Sequence, residues 1–131
     1  MRLLLDTHIV LWQLDDRALP AYADEAIEGA AELLFSVVSF MEVGIKAATG
    51  KLAARPQLRE LVVQGGMRIL SLTPEHGLGV SELPLHHRDP FDRLLISQAQ
   101  AEGLTILTAD PYFARYDVPV ISALTSDLRE D

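Results

Sequence analysis

Four carboxylates stand where short apolar runs of the sequence give way to polar residues. Asp6 ends the run LLL, Glu42 follows LLFSVVS, Asp92 opens DRLLISQAQ, and Asp110 ends LTILTAD. Carboxylate oxygens suit Mg²⁺ or Mn²⁺, hard ions that keep several waters and accept phosphate oxygens. Such ions activate water and stabilise charge during phosphodiester hydrolysis, which is the chemistry that these residues would support together.

The segments around these acids predict strands that alternate with helices. Apolar runs predict strands at residues 2–6, 33–39, 67–73, 104–110 and 118–122. Helical spacing predicts helices at residues 7–14, 21–30, 40–51, 55–66, 74–83 and 90–103, with a brief helical turn at 111–116. Parallel neighbours need crossovers, so this order predicts a three-layer α/β/α fold with a mainly parallel sheet of four to five strands.

Ligands of such sheets bind beyond the carboxyl ends of the strands, and the four acids fall at that edge. Two carboxylates about 4 Å apart repel by roughly 4 kcal/mol at an effective dielectric near 20. Four of them together would oppose folding unless a cation joined them, so a divalent metal is the natural resolution. The hydroxyls of Thr7, Ser39 and Thr108 are placed to orient waters or carboxylates, or to cap turns.

Helix capping is an alternative role for several of these acids. Asp89 precedes Pro90 in the pattern of an N-cap followed by proline at the first helical position, and Asp110 precedes Pro111 in the same way. Capping is the favoured role for Asp89. For Asp110 the sequence leaves capping and ligation equally open.

The other three acids also have structural readings. Ser39-x-x-Glu42 matches a capping box, which leaves capping and ligation equally open for Glu42. Asp92 would complement a helix dipole in the first turn of its helix. The structural alternative is weakest for Asp6, whose only local duty would be to precede a helix opened by Thr7.

Composition indicates one domain over residues 1–131. The chain has no cysteine, which excludes disulfides, thiolate zinc sites and thiol nucleophiles and fits a reducing, cytoplasmic setting. We read no signal peptide and no apolar run near the roughly 20 residues that cross a bilayer. The net charge of −8 argues against broad electrostatic binding of nucleic acid, although carboxylates loaded with divalent ions can still meet a phosphate. The tail TSDLRED (125–131) is expected to fray.

The arrangement resembles the PIN domains, and within them the VapC-like ribonuclease toxins of bacterial toxin–antitoxin pairs. The segments that carry the likeness are LLLDTHIVLW, SFMEVGIKAATGKL and DPFDRLLISQAQAEGLTILTAD. HRDPFDRLLISQAQ is similar to a VapC-like subgroup with an Asp-Pro-Phe-Asp-Arg segment. Nearly the whole chain is covered, and the combination is specific although its single pieces are weak.

The resemblance implies a Mg²⁺- or Mn²⁺-dependent endoribonuclease. It implies metal ligation by Asp6 and Asp92, with Glu42 and Asp110 completing the acidic pocket directly or through water. We align the third acid of the family with Asp92 because LLISQA follows at the matching offset; in the other register Asp89 replaces it. The resemblance also implies a homodimer and an antitoxin whose C-terminal segment lies across the acidic groove. The RNA target, the dimer face and the number of metals stay open.

Basic residues near the acids have weaker interpretations. His86 and His87 are interpreted first as surface loop residues and second as substrate contacts or proton carriers, but not as ligands of Mg²⁺, which imidazole suits poorly. Arg88 and Arg93 would contact RNA phosphates or balance the acids. Lys46, Lys51, Arg55 and Arg59 form a stripe that is interpreted first as a solvated face. Trp12 is interpreted first as core packing.

Two other functions compete with the nuclease. An aspartate-based phosphatase would want a second acid two positions after Asp6, where His8 stands, and a loop lysine, whereas no lysine follows Lys51. A receiver domain fails for similar reasons. A non-catalytic PIN-like binding module that kept its acids for stability or recognition is the alternative from another class.

Overall fold

The computed structural model describes residues 1–123, which form a five-stranded parallel sheet covered by helices on both faces. The order of the strands is β3-β2-β1-β4-β5, so β1 lies at the centre between β2 and β4. The strands are β1 (Arg2–Leu5), β2 (Glu32–Ser36), β3 (Met67–Leu70), β4 (Thr105–Thr108) and β5 (Val120–Ser122). The predicted three-layer α/β/α class is confirmed, with every strand parallel.

The central strand shows why an uninterrupted apolar run was the right signal. Leu3 and Leu5 pack into one apolar cluster and Leu4 packs into the other, on the opposite face of the sheet. All three side chains are buried, because helices cover both faces. Leu4 pairs with Leu34 on β2 and with Ile106 on β4, so the carboxyl ends of these three strands meet at one edge.

In the part of the chain that the structure describes, six α-helices join the strands, and two short 3-10 helices follow α5 and β4. The α-helices are α1 (Thr7–Leu14), α2 (Ala21–Gly29), α3 (Val37–Ala48), α4 (Leu58–Gln64), α5 (Pro74–Gly79) and α6 (Pro90–Glu102). The 3-10 helices are Val80–Glu82 and Pro111–Arg115. Within residues 1–123, none of the helices has the length and apolar character needed to cross a membrane.

The start of α3 differs from the prediction. The run LLFSVVS was expected to stay extended through Ser39, but the strand ends at Ser36 and the helix begins at Val37. The cause is the Ser36 hydroxyl, which accepts a hydrogen bond from the Val38 amide at 2.9 Å and caps the helix. The predicted Ser39-x-x-Glu42 capping box is therefore wrong, because Ser39 already lies inside the helix.

Three other predicted boundaries were too generous. Strand β3 stops at Leu70 rather than at Thr73, and α4 starts at Leu58 rather than at Arg55. The helix predicted over residues 74–83 is α5 followed by a 3-10 turn. The prediction of a frayed tail at 125–131 lies outside the described residues.

Helix α6 matches its prediction at both ends. Asp89 is the N-cap, and its Oδ1 accepts hydrogen bonds from the amides of Phe91 and Asp92. Gly103 ends the helix in the left-handed conformation at φ 69°, which a residue without a side chain adopts at little cost. These two ends fix which turn of α6 faces the carboxyl edge of the sheet.

Candidate active site

The first acid of the site, Asp6, is buried at the end of β1. Its Oδ1 accepts a hydrogen bond from the Thr7 amide at 2.7 Å, and its Oδ2 accepts one from the Thr108 hydroxyl at the end of β4, also at 2.7 Å. The Thr7 hydroxyl donates to the Ser39 hydroxyl at 2.6 Å, which ties α1 to α3. Asp6 therefore caps α1 and is held in one orientation toward the carboxyl edge of the sheet.

Glu42 is presented by the second turn of α3 and is only 2% exposed. Its Oε2 accepts a hydrogen bond from the Lys46 ammonium one turn later, at 2.5 Å. Its Oε1 is the one buried side-chain oxygen or nitrogen in residues 1–123 that has no hydrogen-bond partner. A buried carboxylate oxygen without a partner is costly, so the site as folded leaves room for a further cation or proton at Glu42.

The loop before α6 and its first turn contribute Asp89 and Asp92 in different ways. One carboxylate oxygen of Asp89 caps the helix, and the other lies 4.0 Å from the Lys46 ammonium. Asp92 is half-buried, and its Oδ2 lies 2.8 Å from Nε2 of His87. The predicted capping role of Asp89 is confirmed. Of these two aspartates, Asp92 is the one whose carboxylate accepts no backbone hydrogen bond in the contacts that the structure shows.

Asp110 caps a helix with one carboxylate oxygen and keeps the other in the pocket, so its ligation role stays a prediction. It follows β4 and caps the 3-10 helix through Oδ1, which accepts from the Tyr112 amide at 2.9 Å. Its Oδ2 lies 2.9 Å from Nε2 of His87. Capping thus occupies one oxygen and leaves the other in the site.

These side chains share one pocket of about 350 Å³ at the carboxyl edge of the sheet. Its lining includes all four predicted site residues and Asp89, so the structure brings together carboxylates that are more than 100 residues apart in sequence. The lining residues are Asp6, His8, Trp12, Glu42, Lys46, His87, Asp89, Asp92, Ala109 and Asp110. Trp12 also packs against the apolar cluster below it, as expected of a core residue.

The electrostatics of the pocket disfavour negative charge on Asp92. Burial, together with the charges of four neighbouring carboxylates, raises the pKa of Asp92 to about 9; those neighbours are Asp6, Asp89, Glu42 and Asp110. Burial likewise raises the pKa of Asp6 to about 6, although the Thr108 hydrogen bond opposes that shift. Without a cation, the pocket therefore retains protons at pH values where free aspartates have lost them.

Lys46 is a cation that the sequence interpretation misplaced. It was assigned to a solvated stripe, but its ammonium lies in the pocket on Glu42. Burial lowers the pKa of Lys46, but the hydrogen bond and charge of Glu42 outweigh burial, so the pKa is raised overall. The spacing Glu42-x-x-x-Lys46 was the available signal, because residues four apart share one helix face.

His87 was also misplaced, since its ring is only partly exposed and lies between Asp92 and Asp110 rather than in solvent. No local pattern in the sequence distinguishes it from His86, whose ring packs on Tyr116 instead. Arg93 is likewise turned away from the pocket. It donates to the carbonyls of Val80, Leu83, Pro84 and His87 and to the Tyr116 hydroxyl, so it builds the loop rather than facing a substrate.

The donor set fits a divalent cation. Carboxylates that follow β1 and β4 or lie on α3 and α6 line one pocket, and one of them, Glu42, has a buried Oε1 without a hydrogen-bond partner in residues 1–123. A bound cation would neutralise the charges that raise the pKa of Asp92 and would give Glu42 Oε1 a partner.

Comparison with known proteins gives the same family as the sequence motifs. The family model described as PIN domain matches residues 3–119. A relative, Ribonuclease VapC22 of Mycobacterium tuberculosis (strain ATCC 25618 / H37Rv), is 31% identical over 116 residues, which are 82% of this chain and 85% of the relative.

Solved structures show the same fold at low sequence identity. The chain is similar to a chain of VapBC2 from Rickettsia felis bound to a promoter DNA fragment, with a TM-score of 0.69, 16% identity and coverage of 93% of this chain and 98% of that one. It is also similar to a chain of FitAcB from Neisseria gonorrhoeae, with a TM-score of 0.64, 20% identity and coverage of 92% and 97%. The family match and the curated relative show that this chain belongs to the PIN domain family.

Proposed function

We propose that this protein is a divalent-metal-dependent ribonuclease that hydrolyses RNA phosphodiester bonds and is the toxin of a toxin–antitoxin pair. The observation that supports the proposal most is the pocket itself, which carboxylates from four parts of the fold line, among them Glu42, whose buried Oε1 has no hydrogen-bond partner in residues 1–123. The relative named Ribonuclease VapC22 gives the reaction class, and the similar VapBC chain gives the biological setting.

In this proposal Asp6 and Asp92 hold the ion, and Glu42 and Asp110 complete the site directly or through water. The ion, Mg²⁺ or Mn²⁺, would supply a Lewis acid for the phosphate and lower the pKa of a water. Asp6 is ready to bind because Thr7 and Thr108 fix its two oxygens. Asp92 keeps a proton at neutral pH in the ion-free pocket and releases it when a cation arrives.

Lys46 explains how an acidic protein would accept RNA. The Lys46 ammonium neutralises Glu42 from within the pocket, and Lys46 is the one lysine or arginine among the described residues that line it. With an ion bound, Lys46 and the ion would give the pocket a positive field although the chain carries a net charge of −8. Arg88 lines a separate pocket with Val80 and Arg93, so this proposal gives it no contact with the RNA.

The test is RNA cleavage during a divalent-ion titration, with wild type, Asp6→Asn, Asp92→Asn and the matched control Asp24→Asn. Asp24 is an exposed acid on α2. We expect ion-dependent cleavage by wild type and the control, and a loss of at least about 100-fold in both site variants, because removal of a ligand costs about 3 kcal/mol of transition-state stabilisation. Equal cleavage by all four proteins would contradict the catalytic assignment.

The alternatives are separated by the same assay. A non-catalytic binding module predicts no ion-dependent cleavage by wild type. An aspartate-based phosphatase would need a free nucleophilic oxygen on Asp6, but hydrogen bonds engage both of its oxygens and the side chain is buried. No observation on the described residues favours that reaction.

The partner proposal has its own test. We propose that a small antitoxin neutralises the protein by covering the acidic pocket, and that the protein is a homodimer. Co-expression with the neighbouring open reading frame and size-exclusion chromatography with light scattering should give co-elution with a dimer of this chain. Failure to co-elute would count against the toxin role but would leave the nuclease activity untouched.

A further inference from the structure

His87 occupies a position in the pocket that suits a metal ligand. Its Nε2 lies 2.8 Å from Oδ2 of Asp92 and 2.9 Å from Oδ2 of Asp110. We propose that Nε2 of His87 binds the divalent ion together with Asp92 and Asp110, and that the site therefore selects Mn²⁺ over Mg²⁺. This inference rests on the proposed metal dependence of the same pocket and specifies which ion it takes.

The backbone around His87 is held in place by groups distant in sequence. The Tyr116 hydroxyl accepts hydrogen bonds from the amides of His86 at 3.1 Å and His87 at 2.8 Å. The Arg93 guanidinium donates to the carbonyls of Pro84 at 3.0 Å and His87 at 3.4 Å. Tyr116 itself is 5% exposed, so a buried anchor fixes the loop that carries the ring.

The ring of His87 is also fixed by its neighbours. The Tyr112 ring lies at 5.1 Å between centroids, tilted by 35°, and the Phe113 ring approaches edge-on at 6.4 Å. The side chain is 19% exposed. A ring confined in this way is preorganised for one direction, which is what a metal ligand needs and what an incidental surface histidine lacks.

The distances among the three donor atoms match a coordination sphere. Ligands at about 2.1 Å on adjacent corners of an octahedron lie about 3 Å apart. The two distances from Nε2 are close to this value, and all three donor atoms lie within 4.8 Å of one another. The independent observation that favours a cation is Glu42 Oε1, a buried oxygen without a partner in residues 1–123, on a residue that lines the same pocket.

The other ring nitrogen permits ligation. Nε2 binds an ion only when the neutral ring carries its proton on Nδ1. Nδ1 accepts one hydrogen bond in the structure, from the Asp89 amide at 3.4 Å, which is at the limit of a real hydrogen bond. Changing the tautomer therefore gives up little: Nε2 would lose its proton to solvent and Nδ1 would take one from solvent, with no net release of protons from the neutral ring.

The nitrogen ligand determines the preference of the site. Mg²⁺ demands oxygen ligands in near-ideal octahedral geometry, and imidazole suits transition ions better. Mn²⁺ accepts both carboxylate and imidazole and keeps the water chemistry that hydrolysis requires. A pocket with His87 in its ligand set should therefore gain Mn²⁺ affinity relative to the same pocket without it.

The experiment uses the full chain with Mn²⁺ alone as the probe. Pulsed EPR of the Mn²⁺ complex should show nitrogen hyperfine coupling in wild type and in the matched control His86→Ala, and should lose it in His87→Ala. Calorimetry with Mn²⁺ and with Mg²⁺ should give an affinity ratio that falls by at least about tenfold in His87→Ala and stays unchanged in His86→Ala. Circular dichroism checks that the variants are folded.

The outcomes separate this inference from the proposed function. Mn²⁺ bound to wild type without nitrogen coupling would overturn the inference, and this measurement needs no variant to fold. Coupling that persists in His87→Ala would overturn it too, because His8, which also lines the pocket, would then supply the nitrogen. Nitrogen coupling in a protein that fails to cleave RNA would support the inference and contradict the ribonuclease.

Discussion

Two polar clusters in this molecule involve the same two helices, α3 and α6, and they are built in opposite ways. The first is a hydrogen-bonded network of Ser36, His76, Gln98 and Glu102. The Ser36 hydroxyl donates to Gln98 Oε1, and Gln98 Nε2 donates to the Ser71 carbonyl. Nε2 of His76 pairs with the Glu102 carboxylate. No oxygen or nitrogen of its buried side chains lacks a partner in residues 1–123. The acidic pocket instead brings like charges together and leaves Glu42 Oε1 without a hydrogen-bond partner in residues 1–123.

The difference separates polar groups that hold the fold from polar groups that await a ligand. The network joins the start of α3 to α5 and α6 by matching donors to acceptors, which stabilises one docking of the helices. The pocket does the reverse, because each carboxylate raises the free energy of charging its neighbours. Bound protons or a bound cation would reduce this repulsion between carboxylates. The repulsion in the pocket therefore makes metal binding more favourable.

The largest effect that this comparison predicts is a dependence of stability on pH. In the metal-free protein, the folded state keeps protons on Asp92 up to about pH 9 and on Asp6 up to about pH 6, whereas both would ionise near 3.8 when unfolded. The folded state thus binds more protons, and the free energy of unfolding should fall as pH rises from 4 to 9. Asp6 alone contributes about 3 kcal/mol of this loss. Urea unfolding in chelator across this range measures it.

Asp92→Asn is the control for that prediction. The variant removes the group with the highest pKa, so its stability should exceed that of wild type at pH 8 and should vary less between pH 6 and pH 9. Saturating Mn²⁺ should raise the stability of wild type most at the alkaline end, where the pocket is most charged. A wild-type stability that is flat or rises over this range would show that the pocket carries no electrostatic strain.

The hydrogen-bonded network of Ser36, His76, Gln98 and Glu102 should respond to substitution without a change in its dependence on pH. Gln98→Leu leaves the Ser36 hydroxyl without its acceptor and should lower the free energy of unfolding by about 2 kcal/mol. Because no pocket charge is altered, the dependence on pH should stay parallel to that of wild type. Gln100→Leu, on the exposed side of the same helix, should change stability by about 0.5 kcal/mol or less. Equal losses in the two variants would contradict the distinction between the clusters.

Much of the pocket follows from local sequence, and the reason is geometric. Apolar runs such as LLL and TILT are buried on both faces, so they must be strands of a covered parallel sheet, and the acids after them must share its carboxyl edge. Asp89 followed by Pro90 fixed the start of α6 and therefore the turn that presents Asp92. These inferences need only nearest-neighbour patterns, which one sequence contains.

The rest depended on contacts between distant segments. Val37 and Val38 favour strands, but the Ser36 hydroxyl accepts from the Val38 amide and caps a helix that begins at Val37. The position of His87 is set by a hydrogen bond to Tyr116, which lies 29 residues later in the sequence. No local sequence pattern around either residue indicates this contact. The ligation roles of Asp6, Glu42, Asp92 and Asp110 stay predictions, since the structure gives their positions and not their chemistry.

Tyr116→Phe gives the smallest and most selective effect. It removes the hydroxyl that accepts the amides of His86 and His87, so the free energy of unfolding should fall by about 1 kcal/mol. Mn²⁺ affinity should weaken as well, because the ion would then have to order the loop on binding. The pH slope should not move, since no charge changes. Tyr112→Phe, on a ring that is 41% exposed, is the matched control. Unchanged Mn²⁺ affinity in Tyr116→Phe would show that Arg93 holds the loop without the phenol.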